Sequence, residues 1–144
     1  MRLTSRFILL LALAGVLLAN TARAAETSVT AILVTASREP GDSDRRLAPY
    51  ESTLRRILRF ESFQYVGQGQ ATVPEGGEGS LNLGGGQSLT LENNGGNQLA
   101  VTWRQGGRTL MRTGLVLRPG VPAVLGGPGT GKGDDVYAVL VTSR

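Results

Sequence analysis

The chain has 144 residues, with 15 lysines and arginines against 11 aspartates and glutamates, and it contains neither histidine nor cysteine. The absence of both residue types excludes cysteine nucleophiles, disulfides and the common zinc, copper and iron sites. Histidine-dependent serine hydrolases are excluded too, because their serine needs a base to take its proton.

The first 24 residues have the pattern of a secretory signal peptide. Arg2 and Arg6 precede an apolar run at residues 7–19, and Ala22-Arg23-Ala24 places small residues where a signal peptidase cleaves. No other apolar run approaches the roughly 20 residues that a membrane-spanning helix needs. We therefore predict an exported protein, periplasmic or extracellular, with a signal peptide at 1–24, one globular domain at 25–144 and no transmembrane segment in the mature chain.

Export also changes the charge balance. Arg2, Arg6 and Arg23 precede the predicted cleavage site, so twelve cationic residues remain against eleven acidic ones and the net charge falls from +4 to +1. Nucleic-acid binding loses its electrostatic basis, since contacts with phosphates need a basic face. We predict no nucleic-acid partner.

The first half of the mature chain predicts a strand, a loop, a helix and a second strand. Residues 28–35 are β-branched and apolar on both parities, which favours a buried strand, and residues 37–46 are polar. An apolar stripe at three- and four-residue steps predicts one helix at residues 49–59. A strand follows at 62–73, with Phe63 and Tyr65 on one face, and this order suggests a right-handed crossover.

Glycine-rich turns then alternate with short segments of period two, which is typical of β-hairpins. Leu99, Val101 and Trp103 share one parity, so we place the tryptophan in the core. The predicted strands of this part are residues 80–83, 87–92, 98–104, 108–113, 115–117 and 121–125.

The apolar run at 136–141 predicts a last strand covered on both faces. With eight or nine short strands and one helix, the predicted fold is α+β, mostly antiparallel β, with an amphipathic helix packed on the sheet. A β-sandwich with one helix is the alternative. We expect the first and last strands at the centre of one sheet, where they bring the mature termini together.

Residues 126–132 match the first part of the nucleotide-binding P-loop, G-x-x-x-x-G-K, but Gly133 stands where the magnesium-binding serine or threonine belongs. Asp134 and Asp135 would repel a triphosphate, and a strand follows instead of the helix that a phosphate site needs. We predict a flexible hairpin loop and no nucleotide.

Other candidate catalytic motifs are also incomplete. Gly41-Asp42-Ser43 is similar to the block around the nucleophile in one class of secreted lipases and esterases, yet the chain has no histidine to act as base, so we predict a turn. Two aspartate pairs, Asp42 with Asp44 and Asp134 with Asp135, offer oxygen ligands for calcium but match no complete loop. We therefore predict no catalytic, cofactor-binding or metal-binding residues and no cofactor.

Five arginines are concentrated on the predicted helix and its approach, where they form a candidate surface for an anion or a partner protein. Guanidinium groups bind carboxylates and phosphates through paired hydrogen bonds. The alternative is an ordinary solvated helix exterior, with Glu51 and Glu61 nearby. The candidate residues are Arg45, Arg46, Arg55, Arg56 and Arg59.

Residues 115–127, Leu-Val-Leu-Arg-Pro-Gly-Val-Pro-Ala-Val-Leu-Gly-Gly, resemble a stretch near the end of the homology domain of secretins, the outer-membrane pore proteins. Residues 29–35 are similar to the strand that opens that domain. The chain lacks the long amphipathic hairpins of such a barrel. The resemblance implies a related β-fold or an accessory role at the cell envelope.

From these patterns we predict a non-enzymatic binding or structural module of the bacterial cell envelope, with an envelope protein or an anionic glycan or lipid as partner. Two alternatives remain. An accessory component of a secretion or pilus-like assembly would show an exposed strand edge or apolar patch. A small carboxylate-dependent hydrolase would show a concave pocket with convergent acids.

Overall fold

In a computed structural model of the protein, residues 26–144 are described; the predicted signal peptide at 1–24 lies outside them. The described part contains eight strands, one 3-10 helix and one α-helix. In chain order these are β1 (Glu26–Ser37), the 3-10 helix (Arg45–Tyr50), α1 (Glu51–Leu58), β2 (Ser62–Pro74), β3 (Glu78–Gly84), β4 (Gln87–Asn93), β5 (Gln98–Gln105), β6 (Arg108–Val116), β7 (Ala123–Gly129) and β8 (Val136–Ser143).

The strands form two four-stranded antiparallel sheets. The terminal sheet has the order β2-β1-β8-β7, and the meander sheet has the order β3-β4-β5-β6. Leu33 and Val139 of the terminal sheet share one buried cluster with Leu91 and Trp103 of the meander sheet, so the two sheets face each other across a core. The predicted α+β class with mostly antiparallel β-structure is confirmed, and the facing sheets also agree with the sandwich alternative.

The first and last strands lie at the centre of the terminal sheet, as predicted. β1 and β8 pair antiparallel, from Val29 opposite Ser143 to Ala36 opposite Val136. Val139 faces the meander sheet, whereas Leu140 packs in a second cluster beneath the helical segment. Both parities of these strands are apolar because each face of this sheet is covered.

The predicted right-handed crossover is wrong, because β1 and β2 are antiparallel neighbours, with Glu26 opposite Pro74 and Ser37 opposite Ser62. α1 has eight residues and is about 12 Å long, whereas the twelve residues of β1 extend about 40 Å. A helix this short does not return the chain to the start of β1. The second strand therefore begins at the end where the first one finishes.

The helical segment starts earlier than predicted. Asp44 caps the 3-10 helix by accepting a hydrogen bond from the backbone N–H of Arg46 at 3.0 Å, so the last residues of the predicted loop are helical. Pro49 lies inside this 3-10 helix, and α1 follows directly. Arg59 ends α1 in the left-handed conformation, with φ of 56°.

The glycine-rich turns separate the strands of the meander sheet, within two residues of the predicted bounds. One boundary is wrong: the segments predicted at 108–113 and 115–117 are joined in β6. Gly114 lies opposite Ala100 and continues the ladder. Trp103 is fully buried beside Leu99 and Val101, which confirms their predicted core position.

β2 and β3 close one side of the two-sheet arrangement. A Cβ atom built on Gly67 would lie 2.0 Å from the carbonyl oxygen of Leu83, so the two backbones approach more closely than any side chain would allow. At the opposite edges of the two sheets lie β7 in the terminal sheet and β6 in the meander sheet. Between residues 26 and 144, neither helix is long and apolar enough to cross a membrane.

Candidate functional site

The five candidate arginines all lie on the helical segment between residues 45 and 59, and all are exposed. Leu47 in the 3-10 helix and Leu54 in α1 are completely buried and pack with Phe63 against the terminal sheet. The core thus fixes the backbone that carries these arginines. We call the five residues the arginine surface.

Two of the five arginines bind acids of the same segment. Arg46 donates to Asp44 at 2.7 Å, and its guanidinium lies 4.0 Å from the ring centre of Tyr65. The hydrogen bonds from the Arg46 side chain and backbone lower the pKa of Asp44 to about 2. Arg55 pairs with Glu51 at 2.9 Å, one helical turn earlier.

Arg45, Arg56 and Arg59 differ from these two. Among residues 26–144, no carboxylate lies within 4.0 Å of their guanidinium groups, because the ion pairs of this part are Arg46 with Asp44 and Arg55 with Glu51. The arginine surface therefore has a paired part, whose charges are matched by acids of the same segment, and an unpaired part, which is available to an external anion.

Only the end of the P-loop-like sequence lies in the hairpin loop between β7 and β8, because residues 126–129 belong to β7, which runs from Ala123 to Gly129 and not over the predicted 121–125. The N–H of Thr130 donates to the carbonyl of Asp135 at 2.9 Å, which closes the loop, and Val136 then starts a strand. The helix N-terminus that would bind a phosphate is missing from this loop. The predicted loop is therefore wrong for residues 126–129 and correct for the turn that precedes β8, and the absence of nucleotide binding stays a prediction.

The serine of the lipase-like motif has a structural contact. The Ser43 hydroxyl accepts a hydrogen bond from the backbone N–H of Phe63 at 3.0 Å, and the N–H of Asp44 donates to the carbonyl of Phe63. These bonds hold the loop against the start of β2. Neither predicted aspartate pair is joined by a third ligand, since no group of three candidate metal ligands occurs in the described residues.

One pair of acids was missed by the sequence analysis. Glu78 and Glu92 lie directly opposite each other on β3 and β4, on the face of the meander sheet that points away from the core. A hydrogen bond with the Glu78 carboxyl, together with the repulsion between the two negative charges, raises the pKa of Glu92. The glycine turn fixes the register of the β3–β4 hairpin, and this register could have predicted that Glu78 and Glu92 lie opposite each other.

This acid pair borders a hollow of about 530 Å³ on the outer face of the meander sheet. Ala100, Gly114, Arg104 and Arg112 also line the hollow. The helical segment is packed on the terminal sheet, so the hollow and the arginine surface are separate places on the molecule.

Comparisons with family models, with curated proteins and with solved structures give no match for this chain. The resemblance of residues 115–127 to secretins stays a prediction.

Proposed function

We propose that the protein is an exported, non-enzymatic binding module of the bacterial cell envelope, and that its arginine surface binds an anionic envelope partner. The observation that carries this proposal is the unpaired group Arg45, Arg56 and Arg59 on a segment fixed by buried Leu47 and Leu54. The partner supplies carboxylate or phosphate groups, which guanidinium groups bind in a bidentate manner.

The two paired arginines neutralise acids of the same segment, which leaves partner binding to the three unpaired ones. Arg46 and Arg55 hold Asp44 and Glu51 and so neutralise the acids of the segment. The charge of the other three is then not compensated locally. Both pairs are exposed, so solvent screens their attraction, and they orient the segment more than they stabilise it.

A pull-down from the envelope fraction tests the proposal. The protein is expressed from its full sequence, purified, and compared with the triple variant R45A/R56A/R59A. The control R108A/R118A/R144A removes the same charge from other exposed positions. We expect the first variant alone to lose partners and salt-sensitive binding. Equal capture by all three proteins would refute the arginine surface as a binding site.

Two further measurements address the nature of the partner and the location. Vesicles containing phosphatidylglycerol, compared with vesicles of phosphatidylcholine alone, show whether an anionic lipid is sufficient for binding. Cell fractionation, with N-terminal sequencing of the recovered protein, tests export and cleavage after Ala24. An uncleaved cytoplasmic protein would contradict the predicted location.

One observation favours the accessory-component alternative. β6 is an outer strand with no partner on its far side in the described chain, and Val116 at its end is 65% exposed. β7, the other outer strand, carries Pro128 and an irregular register after Gly126, which hinder strand addition. Crosslinking from Thr113 of β6 in living cells tests this alternative; capture of a strand of a secretion apparatus would support it.

The hydrolase alternative receives less support. Its expected convergent acids exist as Glu78 and Glu92, directly opposite each other on β3 and β4, but both are exposed on the outer face of the meander sheet.

A further inference from the structure

The outer face of the meander sheet carries opposite charges on opposite sides. The register places Glu78, Glu92, Ala100 and Gly114 in one row across β3, β4, β5 and β6. In the next row, Arg112 of β6 stands beside threonines of β4 and β5. The acids therefore belong to the first two strands and the cationic groups to the last two.

Two small residues make this face concave. Ala100 has only a methyl group, and a Cβ atom built on Gly114 would meet nothing within 4 Å. Together they form the floor of the 530 Å³ hollow, between the acid pair and the arginines. A second hollow, of about 720 Å³, lies on the other side of Glu78 and Glu92, so these carboxyls are accessible from two directions.

The opposite charges do not neutralise each other. Among the residues that the structure describes, Arg104 and Arg112 form no ion pair within 4.0 Å. Glu92 and Arg112 are two strands and one row apart, a backbone separation of about 12 Å. A hydrogen bond with Glu78, followed by the repulsion between the two carboxyls, raises the pKa of Glu92, and no cation of residues 26–144 forms an ion pair with either acid.

We propose that this hollow binds a short zwitterionic peptide, with its ammonium group at Glu78 and Glu92 and its carboxylate at Arg104 and Arg112. An extended tripeptide is about 10 Å long, and the long side chain of Arg112 covers the rest of the distance. The hydroxyls of Thr90 and Thr102, which also line the hollow, supply hydrogen bonds for its backbone.

Charge and composition favour a peptide over a neutral glycan. The hollow has no aromatic residue in its lining, so it lacks the flat apolar surface on which sugar rings stack. A ligand with a single charge would bind either the two acids or the two arginines of the hollow, but not both. This site is independent of the arginine surface, and either proposal can fail without the other.

The test is an NMR titration of the ¹⁵N-labelled protein with trialanine. We expect the amide signals of Ala100, Thr102 and Gly114 to move, with a dissociation constant in roughly the millimolar range. Acetylation of the N-terminus or amidation of the C-terminus of the probe should weaken binding about tenfold, because each removes one charge.

Variants locate the two ends of the ligand. Glu92→Gln should weaken the binding of trialanine about tenfold but have little effect on N-acetyl-trialanine. Arg112→Gln should likewise weaken trialanine about tenfold but have little effect on trialanine amide. Arg56→Gln, on the arginine surface, is the matched control and should change nothing. Amide spectra of each variant show whether the fold is retained.

Three results would overturn the proposal. The first is the absence of shifts at Ala100 and Gly114 up to about 20 mM trialanine. The second is equal binding of trialanine that is both acetylated at its N-terminus and amidated at its C-terminus. The third is a set of shifts confined to another surface.

Discussion

Gly127 of β7 lies directly against the indole ring of Trp103 in β5. A Cβ atom built on Gly127 would be 2.2 Å from Cη2 and 2.4 Å from Cζ3 of that ring, and 3.0 Å from the carbonyl oxygen of Tyr137. The ring is completely buried, so it has little room to move. This contact joins the two sheets.

Gly127→Ala should therefore destabilise the protein by about 1–3 kcal/mol, because the added methyl group overpacks a filled core. Gly126→Ala is the matched control, since its Cβ atom would meet only Leu58 Cδ2 at an ordinary 3.6 Å. Urea denaturation measures both. Equal midpoints for the two variants would show that the ring moves freely.

A second prediction concerns the polar end of the same tryptophan. The indole Nε1 of Trp103 donates to Gln87 Oε1 at 2.7 Å, and Gln87 is 2% exposed. Gln87→Leu keeps the volume but leaves a buried donor without a partner, so we expect a loss of about 1–3 kcal/mol in unfolding free energy. Combining it with Trp103→Phe in a double-mutant cycle should show clear coupling; additive effects would contradict the hydrogen bond.

Leu54 attaches the helical segment to the terminal sheet. Leu54→Ala should cost about 2–5 kcal/mol, because it empties a completely buried position between α1 and the terminal sheet. Ile57→Ala, on the same helix, should change stability by less than about 0.5 kcal/mol, as Ile57 is 48% exposed. Thermal unfolding of both variants checks the difference, and similar losses would place Ile57 in the core.

The Asp44–Arg46 pair predicts a dependence on acid. The folded pKa of Asp44 is about 2, below its ordinary 3.8, so the pair stabilises the fold above pH 3.8 and this contribution is lost as the pH falls towards 2. Asp44→Asn keeps the helix cap but removes the charge. The stability difference between wild type and this variant should shrink across that interval; a constant difference would exclude the pair as its source.

The Glu78–Glu92 pair predicts the opposite sign. Since the folded pKa of Glu92 lies above its ordinary 4.5, the repulsion destabilises the fold at neutral pH and is relieved as the pH falls. Glu92→Gln should raise the urea midpoint at neutral pH and lose this advantage below pH 4.5. A lower midpoint at neutral pH would mean that another group compensates the carboxyls.

Periodicity predicted most of the secondary structure, because each period corresponds to a particular burial. The alternation of Leu99, Val101 and Trp103 placed them in the core, and the doubly apolar run at 136–141 predicted a central strand. The crossover was less predictable, because it depends on helix length. The α-helix has eight residues, fewer than the eleven predicted at 49–59, and too few to return the chain along β1.

The candidate sites were less predictable. The positions of the arginines on the helical segment followed from local sequence, but their pairing with Asp44 and Glu51 depends on side-chain geometry. The hollow depends on the registers of three successive strand pairs, so the contributions of Glu92 and Gly114 become visible only when β3 to β6 are aligned.

The central position of β1 and β8 has a consequence for folding kinetics. The Thr142 hydroxyl donates to the carbonyl of Thr30, 112 positions earlier in the chain. Closing so large a loop is entropically unfavourable, and proteins dominated by such distant pairings fold in milliseconds to seconds. Stopped-flow refolding should therefore show a slow phase of about this duration, and a variant that weakens only the β3–β4 hairpin should leave its rate nearly unchanged.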